Sequence, residues 1–458
     1  MNKLTIAAAV CAALCVLPAQ ARKKPEPSPA KPTPFASTYR AIASAPVLIQ
    51  NATVLTGTGT RLDNADVLMQ DGKIQAVGKA LSAPGNAKVI NATGKWITPG
   101  IIDVHSHLGV YASPGIQATS DGNEATNAVT AHVWAEHSVW PQDAGFAKAL
   151  AGGVTSMQIL PGSANLVGGR SVILKNVAAT TFQAMKFPDA PYGIKMACGE
   201  NPKRVYGEKG GPSTRMGNMA GYRAAFIGAE AYRRKWDAYE KGGRHGDAPD
   251  QDLANDTLAG VLRGDITVNI HCYRADEMAA MIDLSKEFGF QISSFHHGVE
   301  AYKVADLLAR EKICGALWAD WWGFKLEAFD GIEENIALVD RAEGGCAIVH
   351  SDSAEGIQRL NQEAAKVIAS SARVDIAIAP EHAIKWLTSN AAKALRIEKQ
   401  TGSLEAGKMA DVVVWNGTPF SSFAKAEQVF IDGALLYDRS NKALQPKVDF
   451  LIGQEGQP

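Results

Sequence analysis

Apolar strand-like segments alternate with amphipathic helical segments through the middle of this chain. The strand-like segments are 153–160, 193–198, 266–271, 291–296, 313–317 and 346–350, and the helical segments include 142–151, 275–288, 301–310 and 381–395. Repeated strand–helix units favour a parallel sheet, because each helix returns the chain to the edge at which the next strand begins. The number of units suits a closed (β/α)8 barrel of the TIM type better than an open sheet. We therefore assign residues 97–400 to such a barrel in an α/β chain.

Short strands with tight turns flank the barrel segment on both sides. Residues 41–96 alternate apolar and polar side chains around glycine-containing turns, and residues 401–445 have the same character. This pattern is typical of antiparallel strands joined by hairpins. We expect the two stretches to pair into one small β-sandwich domain beside the barrel.

The first 21 residues have the pattern of a secretory signal peptide. Lys3 precedes an apolar run at 4–17, and Ala19-Gln20-Ala21 is a small-x-small cleavage site. The apolar run is short for a membrane span, so we expect a secreted or periplasmic protein with no membrane insertion after the signal is removed. Residues 22–40 are rich in proline and basic side chains at their start and are predicted to form a linker.

Charge and cysteine content narrow the classes of partner. The formal net charge is −1 and no long basic or acidic block occurs, which argues against nucleic acid or an anionic membrane surface as a partner. Beyond the signal segment, the cysteines are widely spaced, without a Cys-x-x-Cys pair, so a structural zinc site is not expected. The spacing leaves disulfides and free thiols both open for Cys198, Cys272, Cys314 and Cys346.

His105 and His107 follow the apolar run 96–104. Residues two apart in a strand point to the same side, so both imidazoles can hold one metal ion. The pair lies at the carboxyl end of its strand, which is where barrels keep their chemistry. Other predicted strand ends carry further metal-type ligands, namely Lys195, Glu200, His271, His296, His297 and Asp352. Imidazole and carboxylate together suit zinc, and also manganese, iron or cobalt.

Motifs at both ends of the barrel resemble the amidohydrolase superfamily, nearest the imidazolonepropionase-like branch that includes secreted dipeptidases. The motifs are residues 72–74 and 97–107 at the entry and residues 389–395 and 402–414 at the exit. The similarity extends from about Val47 to Tyr437. It implies a metal-dependent hydrolase with one or two divalent ions, zinc being the expected one. Such relatives commonly assemble as homo-oligomers, so we expect an oligomer here.

The resemblance also implies roles for individual residues. His105 and His107 match the first-strand pair that holds the more buried ion, His271 matches the fifth-strand histidine, and Asp352 matches the eighth-strand aspartate. Asp352 would take a proton from a metal-activated water and pass it to the leaving amine. Such chemistry needs a carboxylate that can reach the ion, the water and the leaving nitrogen in turn.

The sixth-strand ligand and the bridging ligand each have two candidates. His297 is preferred as the sixth-strand histidine, with His296 as the alternative; in a mononuclear site His297 would instead stabilise the oxyanion. A bridge between two ions would be a carboxylated Lys195 or Glu200. We favour Glu200 because it lies nearer the end of its strand, and a mononuclear site would need no bridge.

Substrate residues are expected in the loops beyond these strand ends. Arg204 or Arg215 can clamp a carboxylate with two hydrogen bonds, Tyr206 lies in the same loop, and Trp322 belongs to a tryptophan cluster that can wall an apolar pocket. We expect a small-molecule amide or peptide, either a dipeptide or an N-acyl amino acid. The alternatives are a cyclic amide, a lactone or a deaminated heterocycle. A scaffold without catalysis is disfavoured because the full ligand set is present.

Overall fold

The computed structural model of the chain describes residues 35–445. The predicted signal peptide and residues 22–34 of the predicted linker lie outside the described residues. The end of the predicted linker contacts the barrel. There the Thr38 N–H donates to the carbonyl of Gln183 at 3.0 Å, and the Ser37 hydroxyl donates to the carbonyl of Lys186 at 2.6 Å.

The strands form two hydrogen-bonded sheets. In chain order they are β1 (Val47–Leu55), β2 (Arg61–Gln70), β3 (Lys73–Gly78), β4 (Lys88–Asn91), β5 (Trp96–Pro99), β6 (Ile101–Ser106), β7 (Val154–Ile159), β8 (Val167–Lys175), β9 (Gly193–Ala197), β10 (Thr267–Cys272), β11 (Ile292–His297), β12 (Cys314–Leu317), β13 (Ala347–Val349), β14 (Val412–Trp415), β15 (Ala426–Ile431) and β16 (Ala434–Asp438). Strands β6 to β13 follow one another in sequence order and form the nearly closed barrel that the sequence predicted.

One barrel strand runs against the others. Strand β8 is antiparallel to both β7 and β9, whereas every other neighbouring pair from β6 to β13 is parallel. The prediction of a wholly parallel sheet is therefore wrong at β8. The connection at residues 160–166 is too short for the crossover of roughly a dozen residues that a parallel pair needs.

The first and last barrel strands meet through residues next to the predicted ligands. The backbone N–H of Asp352 donates to the carbonyl of His105 at 3.0 Å. The buried Asp103 carboxylate accepts from the Ser351 hydroxyl at 2.5 Å and from the Ser351 N–H at 3.2 Å. These bonds join the end of β6 to the chain that follows β13.

Helices surround the barrel. They are α1 (Ala144–Ala151), α2 (Phe182–Met185), α3 (Glu200–Tyr206), α4 (Arg215–Lys241), α5 (Leu253–Arg263), α6 (Ala275–Phe288), α7 (Ala305–Arg310), α8 (Asn335–Arg341), α9 (Leu360–Ser371), α10 (Pro380–Ala383) and α11 (Ser389–Ala394). Helix α6 shows why they form: its buried face comes from residues three or four apart, and the helix ends at Gly289, whose φ of 73° suits glycine. Between residues 35 and 445, no helix is long and apolar enough to cross a bilayer.

Strands from both ends of the chain share the second sheet. Its order is β16-β15-β14-β5-β1-β2-β3, with β4 also paired to β1. The joint between the two ends is the antiparallel pair of β14 with β5, where Val413 lies opposite Thr98. The described strands thus form one sheet, and its folding into two packed layers as a sandwich stays a prediction.

Two disulfides link neighbouring barrel strands. Cys198 is bonded to Cys272, and Cys314 is bonded to Cys346. Both pairs are buried. The structure thus decides the pairing that the cysteine spacing left open.

A buried cation joins the barrel to the terminal sheet. The Lys175 ammonium, at the end of β8, lies 2.7 Å from the Asp432 carboxylate and 3.2 Å from the Asp411 carboxylate. Asp432 also accepts from the Tyr39 hydroxyl at 2.5 Å. Burial and the neighbouring Asp411 raise the pKa of Asp432, so the carboxylates depend on the lysine charge.

Replacing Lys175 by methionine should therefore destabilise the fold. Removing one partner of a buried ion pair leaves an uncompensated charge, which costs about 3–5 kcal/mol. Lys95→Met, which removes a half-exposed ion pair with Glu427, is the control and should cost about 0–1 kcal/mol. Urea unfolding of both variants measures the difference, and equal losses would contradict the role of the buried lysine.

Candidate metal centre

Six of the ten histidines in the chain gather where the barrel strands end. Strands β6, β10 and β11 supply four of them, and one more directly follows each of β6 and β13. The carboxyl ends of these strands meet at one mouth because the strands are parallel. The six are His105, His107, His271, His296, His297 and His350.

Three side chains converge at the end of the first barrel strand. The Nε2 atoms of His105 and His107 lie 3.3 Å apart. The Asp352 carboxylate lies 3.3 Å from His105 Nε2 and 3.1 Å from His107 Nε2. Two imidazoles and a carboxylate that share one point in space form a ligand set for a divalent cation.

The Lys195 side chain reaches the same point. Its ammonium nitrogen lies 3.4 Å from His105 Nε2 and 3.0 Å from the carbonyl of Pro161. The side chain is fully buried, and burial lowers its pKa to about 8. A lysine with a lowered pKa is partly neutral near physiological pH, so its amine is available as a nucleophile.

Glu200 is placed differently, contrary to the preference for it in the sequence. It is the first residue of α3, and its carboxylate lies 3.4 Å from the Lys325 ammonium. The turn at Gly199, with φ of 82°, carries the chain out of β9 before Glu200. Lys195 lies inside the strand and its side chain reaches His105, whereas Glu200 lies beyond the turn. The geometry favours Lys195 as the bridging candidate.

His271 and His297 offer free buried nitrogens. The Nδ1 atoms of both side chains have no hydrogen-bond partner among the described residues. His297 Nδ1 lies 3.9 Å from the Asp352 carboxylate, and the centroids of the His271 and His297 rings are 4.7 Å apart. A buried polar atom without a partner is costly, so these nitrogens fit a site that a second cation would complete.

Both ring nitrogens of His296 have hydrogen-bond partners within the protein. Its Nδ1 lies 2.8 Å from His105 Nδ1, and its Nε2 lies 2.8 Å from the Ser294 hydroxyl. The ring therefore orients His105 and leaves Nε2 of His105 toward His107 and Asp352. This arrangement favours His297 over His296 as the ligand.

His350 is a site residue that sequence reasoning missed. Its ring nitrogens lie within 4.8 Å of those of His105 and His297. Its Nε2 accepts from the His297 backbone N–H at 3.3 Å, and its Nδ1 has no partner among residues 35–445. The signal was available, since His350-x-Asp352 repeats the two-residue spacing of His105-x-His107.

Two ligand candidates have backbone conformations that are rare outside glycine. The φ angles are 71° at His297 and 50° at Asp352. Such conformations cost of order 1–3 kcal/mol and cluster at functional sites. They turn the chain sharply at the points where β11 and β13 end.

The residues predicted to bind a substrate carboxylate lie in different environments. The Arg215 guanidinium is bound to Glu277 at 2.9 Å and to Glu327 at 2.5 Å, so carboxylates of the protein already engage it, and its role as a substrate clamp stays a prediction. The Tyr206 side chain is buried, and its hydroxyl lies 2.7 Å from the Asn165 amide nitrogen. Arg204 is exposed on α3. Both arginines stay candidates for the clamp, and Arg204 is the more exposed of the two.

An aromatic wall extends outward from His297. Trp318 stacks on the His297 ring at 4.1 Å, and Trp321 stacks on Trp318 at 5.1 Å. Trp322, which is 53 % exposed, lines a small open pocket together with His297 and Trp318. Tyr273 lies against the rings of His271 and Trp318 and was not singled out from the sequence.

Burial keeps five of the six histidines neutral. It holds the pKa of His105, His271, His296 and His297 well below 6.5 and lowers the pKa of His350 to about 4. A charged imidazole would lose its hydration inside the barrel. Neutral imidazole is the form that binds metal ions.

A family model and a solved structure that match this chain are both described as amidohydrolases. A model described as the amidohydrolase family matches residues 333–436. A solved amidohydrolase structure from Thermotoga maritima MSB8 is 38 % identical, with a TM-score of 0.79, and the match covers 86 % of this chain and all of that one.

Two curated relatives show how far the similarity extends. Amidohydrolase tasK of Hapsidospora irregularis is 34 % identical over 86 % of this chain, which spans only 43 % of that relative's length. D-hydantoinase of Geobacillus stearothermophilus is 49 % identical, but the match covers 13 % of this chain and 12 % of that protein. The second similarity is therefore confined to a short segment.

The neutral cluster predicts acid sensitivity of the metal-free protein. In the unfolded chain the histidines become protonated near pH 6.5. In the folded chain His350 becomes protonated only near pH 4, because burial lowers its pKa. The free energy of unfolding should therefore fall as the pH is lowered through this range and should not gain from these groups above it. Thermal unfolding of EDTA-treated protein at several pH values measures the effect.

His350→Gln serves as the comparison for that experiment. It should reduce the proton uptake on unfolding near pH 5 by about one proton. A stability that does not change between pH 7 and pH 4.5, or an unchanged proton uptake in the variant, would contradict the neutral state of the cluster.

Proposed function

This chain belongs to the amidohydrolase family, and we propose from that premise that it is a metal-dependent hydrolase that cleaves the carbon–nitrogen bond of an amide. The observation that carries the proposal is the convergence of His105, His107 and Asp352 within 3.3 Å of one another. Two imidazoles and a carboxylate this close together offer their lone pairs to one point, an arrangement that a divalent cation would stabilise.

The ligand set that we propose has two halves sharing Asp352 and Lys195. His105, His107 and Asp352 would hold the first ion, and His271 and His297 would hold the second. Zinc is the proposed ion, since imidazole and carboxylate ligands suit it, with manganese, iron and cobalt as alternatives. His350 and His296 lie behind these ligands and orient them.

Lys195 would bridge the two ions after reacting with carbon dioxide. Its neutral amine adds to the carbon of CO₂, a nitrogen–carbon bond forms, and one proton is released. The product is a carbamate, which offers two oxygens where the amine offered one nitrogen. Burial, which lowers the pKa of Lys195 to about 8, supports this reaction because it increases the share of neutral amine.

Asp352 is proposed to move the proton during hydrolysis. A divalent cation supplies a nucleophilic water at neutral pH and polarises the scissile carbonyl. The Asp352 carboxylate, which lies against both His105 and His107, would accept the proton from that water and then donate it to the leaving nitrogen. Trp318, stacked on His297, excludes solvent from one side of the reacting groups.

The proposed substrate is a linear amide with an apolar group, as in a dipeptide or an N-acyl amino acid. Trp321 and Trp322 lie beyond Trp318 and offer partly exposed aromatic faces next to the ligands. Arg204 is the preferred candidate to bind a substrate carboxylate, with Arg215 as the second. A cyclic amide is the second candidate, which the similarity to proteins named D-hydantoinase and dihydroorotase supports.

Export from the cytoplasm is proposed on two grounds. Residues 1–21 have the pattern of a signal peptide, and disulfides such as the two found here persist mainly in oxidising compartments. The proposal also includes a homo-oligomeric assembly, which only the family resemblance supports.

A substrate panel tests the function. Purified protein loaded with zinc should hydrolyse apolar dipeptides or N-acetyl amino acids, as followed by amine release. Asp352→Asn should lower kcat by about 10²–10⁴-fold and retain most of its metal. Turnover of hydantoins alone would move the assignment to cyclic amides, and near-normal turnover by the variant would contradict the role of Asp352.

The bridging ligand has its own test. Lys195→Ala should bring the metal content from two ions toward one, whereas Glu200→Gln should leave it at two, as measured by elemental analysis. Wild-type protein equilibrated with ¹³CO₂ should also show a carbamate carbon resonance that Lys195→Ala lacks. Loss of the second ion in Glu200→Gln instead would restore Glu200 as the bridge.

A further inference from the structure

The two disulfides lie at opposite ends of the barrel. Cys198 directly follows β9 and Cys272 ends β10, so this bridge lies at the mouth. Cys314 begins β12 and Cys346 precedes β13, so the other bridge lies at the far end. Both join adjacent parallel strands and both are buried. They form a chemically matched pair that differs in its distance from the proposed metal site.

Both cysteines of the bridge at the mouth adjoin His271. Cys272 is the next residue in the chain, and the Cys198 N–H donates to the carbonyl of His271 at 2.9 Å. Beyond Cys198, the Asn201 amide nitrogen lies 3.4 Å from His271 Nε2. The disulfide therefore fixes both backbone segments that determine where the His271 ring lies.

The His271 ring has weaker hydrogen-bond support than the two ligand histidines at the end of β6. His105 is held by His296 at 2.8 Å, and His107 Nδ1 lies 2.8 Å from the carbonyl of Leu160. Among the described residues, the His271 ring has one hydrogen-bond contact, at 3.4 Å to Asn201, and its Nδ1 has no partner. A metal-binding histidine is usually oriented by a bond to its second nitrogen. In His271 the backbone has to provide that orientation.

We propose that Cys198 and Cys272 are positioning residues for the second half of the metal site. The disulfide holds the ends of β9 and β10 together and thereby keeps the His271 ring where it can bind a cation with His297. This inference rests on the proposed function, since it assumes a two-ion site. The bridge between Cys314 and Cys346 packs among Ile102, Val104 and Ile348 at the far end and contributes only to stability.

The test compares two double variants of the full chain. C198A/C272A removes the bridge at the mouth, and C314A/C346A removes the bridge at the far end. Stepwise zinc titration of the metal-free proteins gives the affinity for each ion, independently of activity. C198A/C272A should bind the second ion roughly 10–100-fold more weakly, as found when outer supports of a metal ligand are lost, with the first ion unchanged.

The control should separate positioning from stability. C314A/C346A should lower the Tm, as C198A/C272A does, but should leave both zinc affinities unchanged. Equal affinities in the two variants would overturn the proposal. A second variant at the mouth, C198V/C272A, refills part of the space of the lost sulfur atoms and should show the same loss of zinc affinity.

The remaining outcomes also decide the question. If neither variant at the mouth folds, the bridge is a condition of the whole barrel and the proposal of a positioning role is overturned. If wild-type protein binds no second ion, the proposed two-ion site fails and this inference fails with it. If wild type binds two ions and both variants at the mouth bind them equally well, the inference alone fails.

Discussion

The hydrogen bonds between the first and last barrel strands also bring the candidate metal ligands together. Asp103 accepts two hydrogen bonds from Ser351, and the Asp352 N–H donates to the carbonyl of His105. These bonds place the end of the first barrel strand beside the chain that follows the last one. The carboxylate of Asp352 reaches the two histidines of β6 only because the barrel closes there. In an open sheet these strands would be its two opposite edges.

Burial gives the mouth its electrostatic character. Five imidazoles with lowered pKa and a fully buried lysine surround one partly exposed carboxylate. The interior has little water to solvate charge, so these imidazoles stay neutral and keep their lone pairs, and the lysine is partly neutral. The same scarcity of water makes their unpaired nitrogens costly. The arrangement is therefore suited to a cation, which would satisfy the lone pairs that the protein leaves free.

The antiparallel strand β8 connects the two halves of the molecule. Because it runs against its neighbours, its last residue, Lys175, lies at the far end of the barrel, opposite Ser156 near the start of β7. There it neutralises Asp411 and Asp432 of the terminal sheet. A parallel β8 would have carried this cation to the mouth instead. The direction of one strand thus separates the charge that stabilises the fold from the groups at the mouth.

The sequence by itself determined the barrel, the family and the identity of most candidate ligands, because strand alternation and residue spacing are local properties. His105-x-His107, His271, His297 and Asp352 all lie at one mouth, as strand ends in a parallel barrel must. Tertiary structure decided what depends on distant partners. The geometry favours Lys195 over Glu200 as the bridging candidate because a turn at Gly199 diverts the chain, and Arg215 is engaged by carboxylates of α6 and a later loop. The role of His350 and the pairing of the cysteines likewise depend on which strands become neighbours, which local patterns do not encode.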